Sequence, residues 1–189
     1  MTISLERGLR HMAWANQKVF EAVATLPDKA LESYIVNPKW TAGEICNHIA
    51  GGATWYVFRL EIEDWIDIPE VKTSADVKKV AEILQDLDSK LIGVAHQEDR
   101  ELSHTDEKGV TRVRWASTIL TQAIHHATEH RAQLIDALES KGFAPINLLS
   151  RSWRISATFF TSAEDFTSGI SIQSSISIRK TYQVAPPAM

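Results

Sequence analysis

The sequence predicts an all-α protein, a four-helix bundle followed by a C-terminal tail able to form strand. Three observations carry this. Apolar residues recur every three to four positions over four long stretches. Polar, proline- or glycine-marked segments separate them, one of these being a long connection. After residue 149 the helical period is lost and serine and threonine become dense. The chain therefore divides into a bundle over 1–149 and an extension over 150–189.

The first helix is expected from about Ser4 to Leu26, because Leu5, Leu9, Met12, Val19, Phe20, Val23 and Leu26 share one face and Pro27 stops it. The second opens at Thr41-Ala42-Gly43-Glu44, which reads as a capping box. It is expected to run through Ile45, Ile49, Trp55, Phe58 and Ile62 and to end before Pro69. Thr73 or Ser74 opens the third, carrying Val77, Val80, Ile83, Leu84, Leu87, Leu91 and Val94. From Leu102 to Trp115 the period breaks; Lys108-Gly109 marks a turn and residues 110–114 a short strand. The fourth helix runs from about Ala116 to Ser140, with Gly142 as its C-terminal cap. In the tail, Ile170, Ile172, Ile176, Ile178, Tyr182 and Val184 fall on alternate positions, as in a hairpin or an arm that pairs with a neighbour.

Bulk properties exclude several functions. With 20 basic and 24 acidic residues the formal charge is −4, and no lysine- or arginine-rich stripe offers a nucleic-acid footprint. No apolar run reaches the roughly 18 residues needed to span a bilayer. The N-terminus lacks the pattern of a signal peptide, and Cys46 is the only cysteine, so a cytoplasmic protein without an intrachain disulfide is expected.

The chemistry concentrates in Ile124-His125-His126-Ala127-Thr128-Glu129-His130-Arg131-Ala132-Gln133 and in His48. Residues 126 and 130 lie one turn apart on one helix face, so their imidazoles can grip one divalent metal. His48, on another helix, is the candidate third ligand. Three protein ligands leave a coordination position open, as catalytic sites do. Gly51 and Gly52 follow His48 at i+3 and i+4, which reads either as room for a metal and substrate or as close helix packing. His125 points about 100° away and is expected to pack or face solvent. His11, His96 and His104 have no partner at ligand spacing, and Cys46 reads as a small buried apolar group. Glu44, one turn before His48, either orients that imidazole or only caps the helix. Gln133 shares the histidine face and is placed to contact bound water or substrate, while Arg131 reads as a salt-bridging surface residue. The same run also satisfies H-x-x-E-H, an inverted zinc-protease pattern with Glu129 as base, although few helical residues follow to supply its further glutamate ligand.

Three motifs resemble the DinB family: Trp14-Ala15-Asn16; Trp40-Thr41 followed by His48, Trp55, Arg59 and Leu60; and His126-x-x-x-His130-Arg131-x-Gln133. The resemblance covers roughly residues 4–145. It implies a four-helix bundle with a long connection between helices two and three. It also implies zinc or nickel held by three histidines, which by position are His48, His126 and His130. Several members of that family are transferases or isomerases that use low-molecular-weight thiols such as bacillithiol, mycothiol or glutathione, and many form homodimers. The chain departs from the family pattern at His125, where asparagine is common, at Glu129-His130, where paired histidines are common, and in its serine-rich tail.

These readings lead to a metal-dependent enzyme that activates a thiol or a water toward a small-molecule substrate, with Arg59 and Gln133 as substrate contacts. The alternatives are a non-enzymatic metal-binding stress or interaction protein, and a bundle that has lost its site and mainly dimerises.

Overall fold

The computed structural model describes residues 4–105 and 109–143. The expected tail over 150–189, its boundary at 149 and residue Lys108 of the expected turn lie outside them. Four helices, α1 (Leu5–Val23), α2 (Ala42–Arg59), α3 (Ser74–Val94) and α4 (Ala116–Ser140), form a bundle, with a two-stranded antiparallel sheet, β1 (Glu101–Thr105) and β2 (Thr111–Trp115), before α4. Both α1 and α2 pack on α3 and α4, so α1 stands diagonally across from α2. This arrangement explains the connections. Residues 24–41 must cross the bundle end, and they fold a 3₁₀ turn at Asp28–Glu32 on the way. Residues 95–115 link another diagonal pair and carry the hairpin. Residues 60–73 join neighbouring helices and form the shortest of the three links, though still longer than the two to eight residues usual in bundles.

Local chemistry fixes the helix ends. Ser4 caps α1 and Thr41 caps α2 through the Glu44 amide. Only this forward half of the expected box forms at α2; the complete reciprocal box sits at α3, between Thr73 and Asp76. Asp28 accepts from the Ser74 amide, and Asp99 accepts from both the amide and the hydroxyl of Ser117 at the start of α4.

The sequence expectation for α2 was too long. The helix ends at Arg59 because Glu61 takes a left-handed conformation, φ 57°. The Glu61 amide then returns to the Phe58 carbonyl and the Ile62 amide to the Val57 carbonyl, a Schellman motif. No glycine announces this stop. Arg100 compensates, donating to the Glu61 carboxylate and to the Leu60 carbonyl. At the end of α4 the same motif is built on Gly142, φ 77°, as expected from its sequence. The loop after α2 folds back along that helix: Asn47 donates to the Ile68 and Pro69 carbonyls, and a side chain at Gly43 would overlap the Val71 carbonyl.

The expected strand exists, shifted by one residue, and pairs with β1, which sequence periodicity did not reveal. Glu101 lies opposite Trp115 and Thr105 opposite Thr111. Of the ten strand residues only Leu102 is buried, so the hairpin is an exposed appendage without a clear two-residue period.

Phe20, Leu9, Met12, Ile45, Ile49, Leu87, Leu120 and Leu134 are among the fully buried side chains of the core. Within this core lies a polar network. Arg131 was expected at the surface, yet it is 8% exposed. Its guanidinium donates to Asn16 at 2.5 Å and to Thr128 at 3.0 Å, and Asn16 donates to Asp88 at 2.9 Å. A long cationic side chain one residue from a polar face looks like a surface residue until α1 and α3 supply its partners. Burial raises the Asp88 pKa to about 6, against the opposing influence of Asn16 and Arg131. Its second oxygen has no hydrogen-bond partner.

Two outcomes follow. Asn16→Ala removes the bridge between two buried charged groups and should destabilise the fold by about 3 kcal/mol in denaturant unfolding. Folded Asp88 keeps its proton to about pH 6, whereas an ordinary aspartate releases it near 3.8. Between those values the native state binds more protons, so this group's contribution falls as pH rises. The stability of wild type relative to Asp88→Asn should therefore decline from pH 4 to 6; a flat difference would contradict the raised pKa.

Candidate metal centre

The site lies between α2 and α4, which run antiparallel. His48 comes from the first half of α2; His126 and His130 sit one turn apart on α4. Their Nε2 atoms converge: His48 lies 3.1 Å from His130 and 3.0 Å from His126. All three are half-buried. A tetrahedral ion held at 2.0–2.1 Å separates its nitrogen ligands by about 3.3 Å, so the spacing fits a first-row divalent metal with little movement. These are the three histidines the sequence singled out. Among the described residues no other histidine, cysteine or carboxylate joins the group.

Packing explains the convergence. A side chain at position 52 would lie 2.8 Å from His126 Nδ1 and closer still to Cε1. The ring occupies the place a Cβ would take, which matches the close-packing reading of the glycine pair: Gly52 seats the His126 ring. Gly51 faces open space, so the pair does not act as a unit.

Burial, with His130 next in weight, lowers the His48 pKa to about 4, and burial with both neighbouring histidines lowers that of His126 to about 3. Both imidazoles are therefore neutral near pH 7 and offer lone pairs. Gln133 orients the third. Its Oε1 lies 3.0 Å from His130 Nδ1 and accepts from Trp40 Nε1–H at 3.1 Å, while its Nε2 donates to Glu129. The Glu129 carboxylate only accepts, which fixes the amide orientation. The His130 proton is then on Nδ1 and its Nε2 lone pair faces the other two rings. The Trp40 ring meets His48 and His130 edge-on at 5.0 and 5.8 Å, and Tyr56 meets His126 at 5.7 Å.

The other expected residues separate. Glu44 is exposed, makes no hydrogen bond to His48 and acts as part of the helix cap. Arg59 lies over Trp55, farther along α2, and not against the histidines. His125 is exposed, as are His11 and His96. Cys46 is fully buried, and burial pushes its thiol up to about 12. Trp40 and Tyr56 had no role assigned from sequence. Trp40 precedes its helix, where no periodicity places it, and Tyr56 sits at i+8 from His48, a spacing that equally describes core packing.

The fold and these side chains define a helix bundle with a three-histidine group that could hold a metal ion. The chain belongs to the DinB family, whose model matches residues 1–154. No curated protein and no solved structure gives a significant match. Among the described residues no helix is long and apolar enough to cross a membrane.

The two glycines yield a paired test. Gly51→Ala should raise stability by up to about 1 kcal/mol, the helix-propensity gain. Gly52→Ala should lower it, because the His126 ring must leave its seat. Equal effects in thermal unfolding would refute this packing.

Proposed function

We propose that His48, His126 and His130 hold one divalent metal, zinc or nickel, and that the chain is a metal-dependent enzyme activating a thiol toward a small-molecule substrate. The observation that carries this reading is the meeting of three Nε2 atoms, two of them on imidazoles whose pKa values keep them neutral. Three ring nitrogens this close form a donor set that one cation would bridge. When bound, the metal would supply its full charge to stabilise a coordinated thiolate or hydroxide near pH 7.

The chain's own residues do the rest. Gln133 holds the His130 tautomer, Trp40 packs edge-on against His48 and His130, and Gly52 lets His126 approach. The lack of a fourth ligand among the described residues leaves room for an exogenous group, and this favours the enzyme over a closed structural or regulatory site. A low-molecular-weight thiol is preferred to water on the family resemblance. The protease reading is weaker, since Glu129 is exposed and engaged by Gln133, and among the described residues no glutamate joins the histidines.

Elemental analysis should find about one zinc or nickel per chain, lost in His126→Ala; no metal in the wild type after supplementation would overturn the proposal. The metal-loaded protein should also transfer a low-molecular-weight thiol to a haloaromatic electrophile, with the rate collapsing in the same variant. Gln133→Leu should keep its fold but bind metal about 10- to 100-fold more weakly, the usual effect of losing a ligand's hydrogen-bond partner. Unchanged affinity would remove Gln133 from the site.

A further inference from the structure

Along the facing sides of α2 and α4 a cationic end lies beyond the histidines, past the buried Tyr56. His48, Gly52 and Tyr56 follow at four-residue steps on α2. His130, His126, Gln122 and Thr118 do so on α4 in the opposite sense. Beyond Tyr56, whose ring touches His126, a cleft of about 390 Å³ opens. Trp55, Tyr56, Thr118 and Gln122 line it, together with Arg114 from β2. The Arg59 guanidinium lies 5.0 Å above the Trp55 ring, and its Nε and Nη1 are buried without an acceptor. Arg114, and after it Arg112 on the same strand, is close enough to repel it. Neither Arg59 nor Arg114 forms an ion pair among the described residues.

Like charges gathered beside an aromatic face, Arg59 among them with unmet buried donors, are an unfavourable arrangement for an empty surface. They are the donor set that holds a carboxylate or a phosphate, because a guanidinium offers paired N–H groups in a planar fork. We propose that Arg59 and Arg114 bind the anionic group of an elongated substrate whose other end reaches the three histidines. The anion site stands on the arginines and the cleft; the substrate's far end rests on the metal reading above. The span follows from the helix. Eight residues separate His126 from Thr118, which at 1.5 Å per residue is about 12 Å. The substrate class is thus a small molecule carrying a carboxylate or phosphate about 10–12 Å from its thiol.

Calorimetric titration of the full-length protein tests the two ends separately. On metal-free protein the probes are hexanoate, hexyl phosphate and hexanol. The anions should bind at least about tenfold more tightly than the alcohol, and Arg114→Gln and Arg59→Gln should each abolish that gain. The stronger of the two anions identifies the headgroup. Equal binding of all three, or a gain untouched in Arg114→Gln, overturns the anion site; Arg114 is exposed, so that variant will fold. On zinc-loaded protein the probes are mercaptooctanoate, mercaptooctanol and mercaptopropionate. The long acid should be tightest, and Arg114→Gln should reduce it to the level of the alcohol. If the anions bind but no thiol does, the thiol reading fails while the anion site stands. If the long acid is no tighter than the short one, the proposed span is wrong.

Discussion

The close approach of α2 and α4 at Gly52 is the constraint on which the site depends. The His126 ring lies where any side chain at position 52 would stand, so the helices can draw together far enough for His48 to meet His126 and His130. A glycine inside a helix costs about 1 kcal/mol relative to alanine, and the fold recovers no packing from it except this seat. The other contacts build outward from that approach. The Trp40 ring sits edge-on to His48 and His130, and its indole N–H, with the His130 ring, converges on one Gln133 oxygen. A single amide thus ties the segment before α2 to α4 and sets a tautomer.

A second polar cluster fixes how α4 is turned. Arg131 follows His130 directly, about 100° around the helix, and it reaches Asn16 on α1, which in turn reaches Asp88 on α3. Rotating α4 by one residue would leave the Arg131 charge in an apolar core without partners, an error costing several kcal/mol. The same rotation would swing His126 and His130 off His48. The buried network and the histidine group are therefore two consequences of one helix orientation, on different faces of α4.

Much of this was legible in the sequence where the signal is local. The apolar period placed four helices, and the capping signals at Thr41, Thr73 and Gly142 set ends that the structure reproduces. The i, i+4 pair with a third histidine on another helix named the three imidazoles that meet. What escaped depends on partners distant along the chain. Glu61 ends α2 in a conformation that glycine usually marks, because Arg100 holds it. Arg131 looks like a surface cation until Asn16 and Asp88 are placed beside it. Leu102 alone of the hairpin is buried, so β1 had no alternating pattern to show. Trp40 is joined to Gln133 across 93 positions, a separation that no periodicity reports.

The bundle separates two kinds of position. The three imidazoles sit on packed helices, where aim is set by core contacts and by the Gln133 hydrogen bond, and such sites hold geometry better than loops do. Arg114 sits on a strand exposed at every residue, at the end of the longest connection. A change there disturbs neither the core nor the histidines, so the cleft lining can vary while the histidine geometry stays fixed. Arg59 stands between these cases. Its backbone belongs to the last turn of α2, and its guanidinium lies over Trp55 one turn earlier on the same helix. Extending α2 toward Pro69, as its apolar pattern alone would have it, would carry the chain past the point where Arg100 reaches back and would lose the hydrogen bonds that close the helix beside the cleft. The left-handed residue that looks like a local exception is thus what closes α2 one turn beyond Trp55 and Tyr56, the residues it contributes to the cleft.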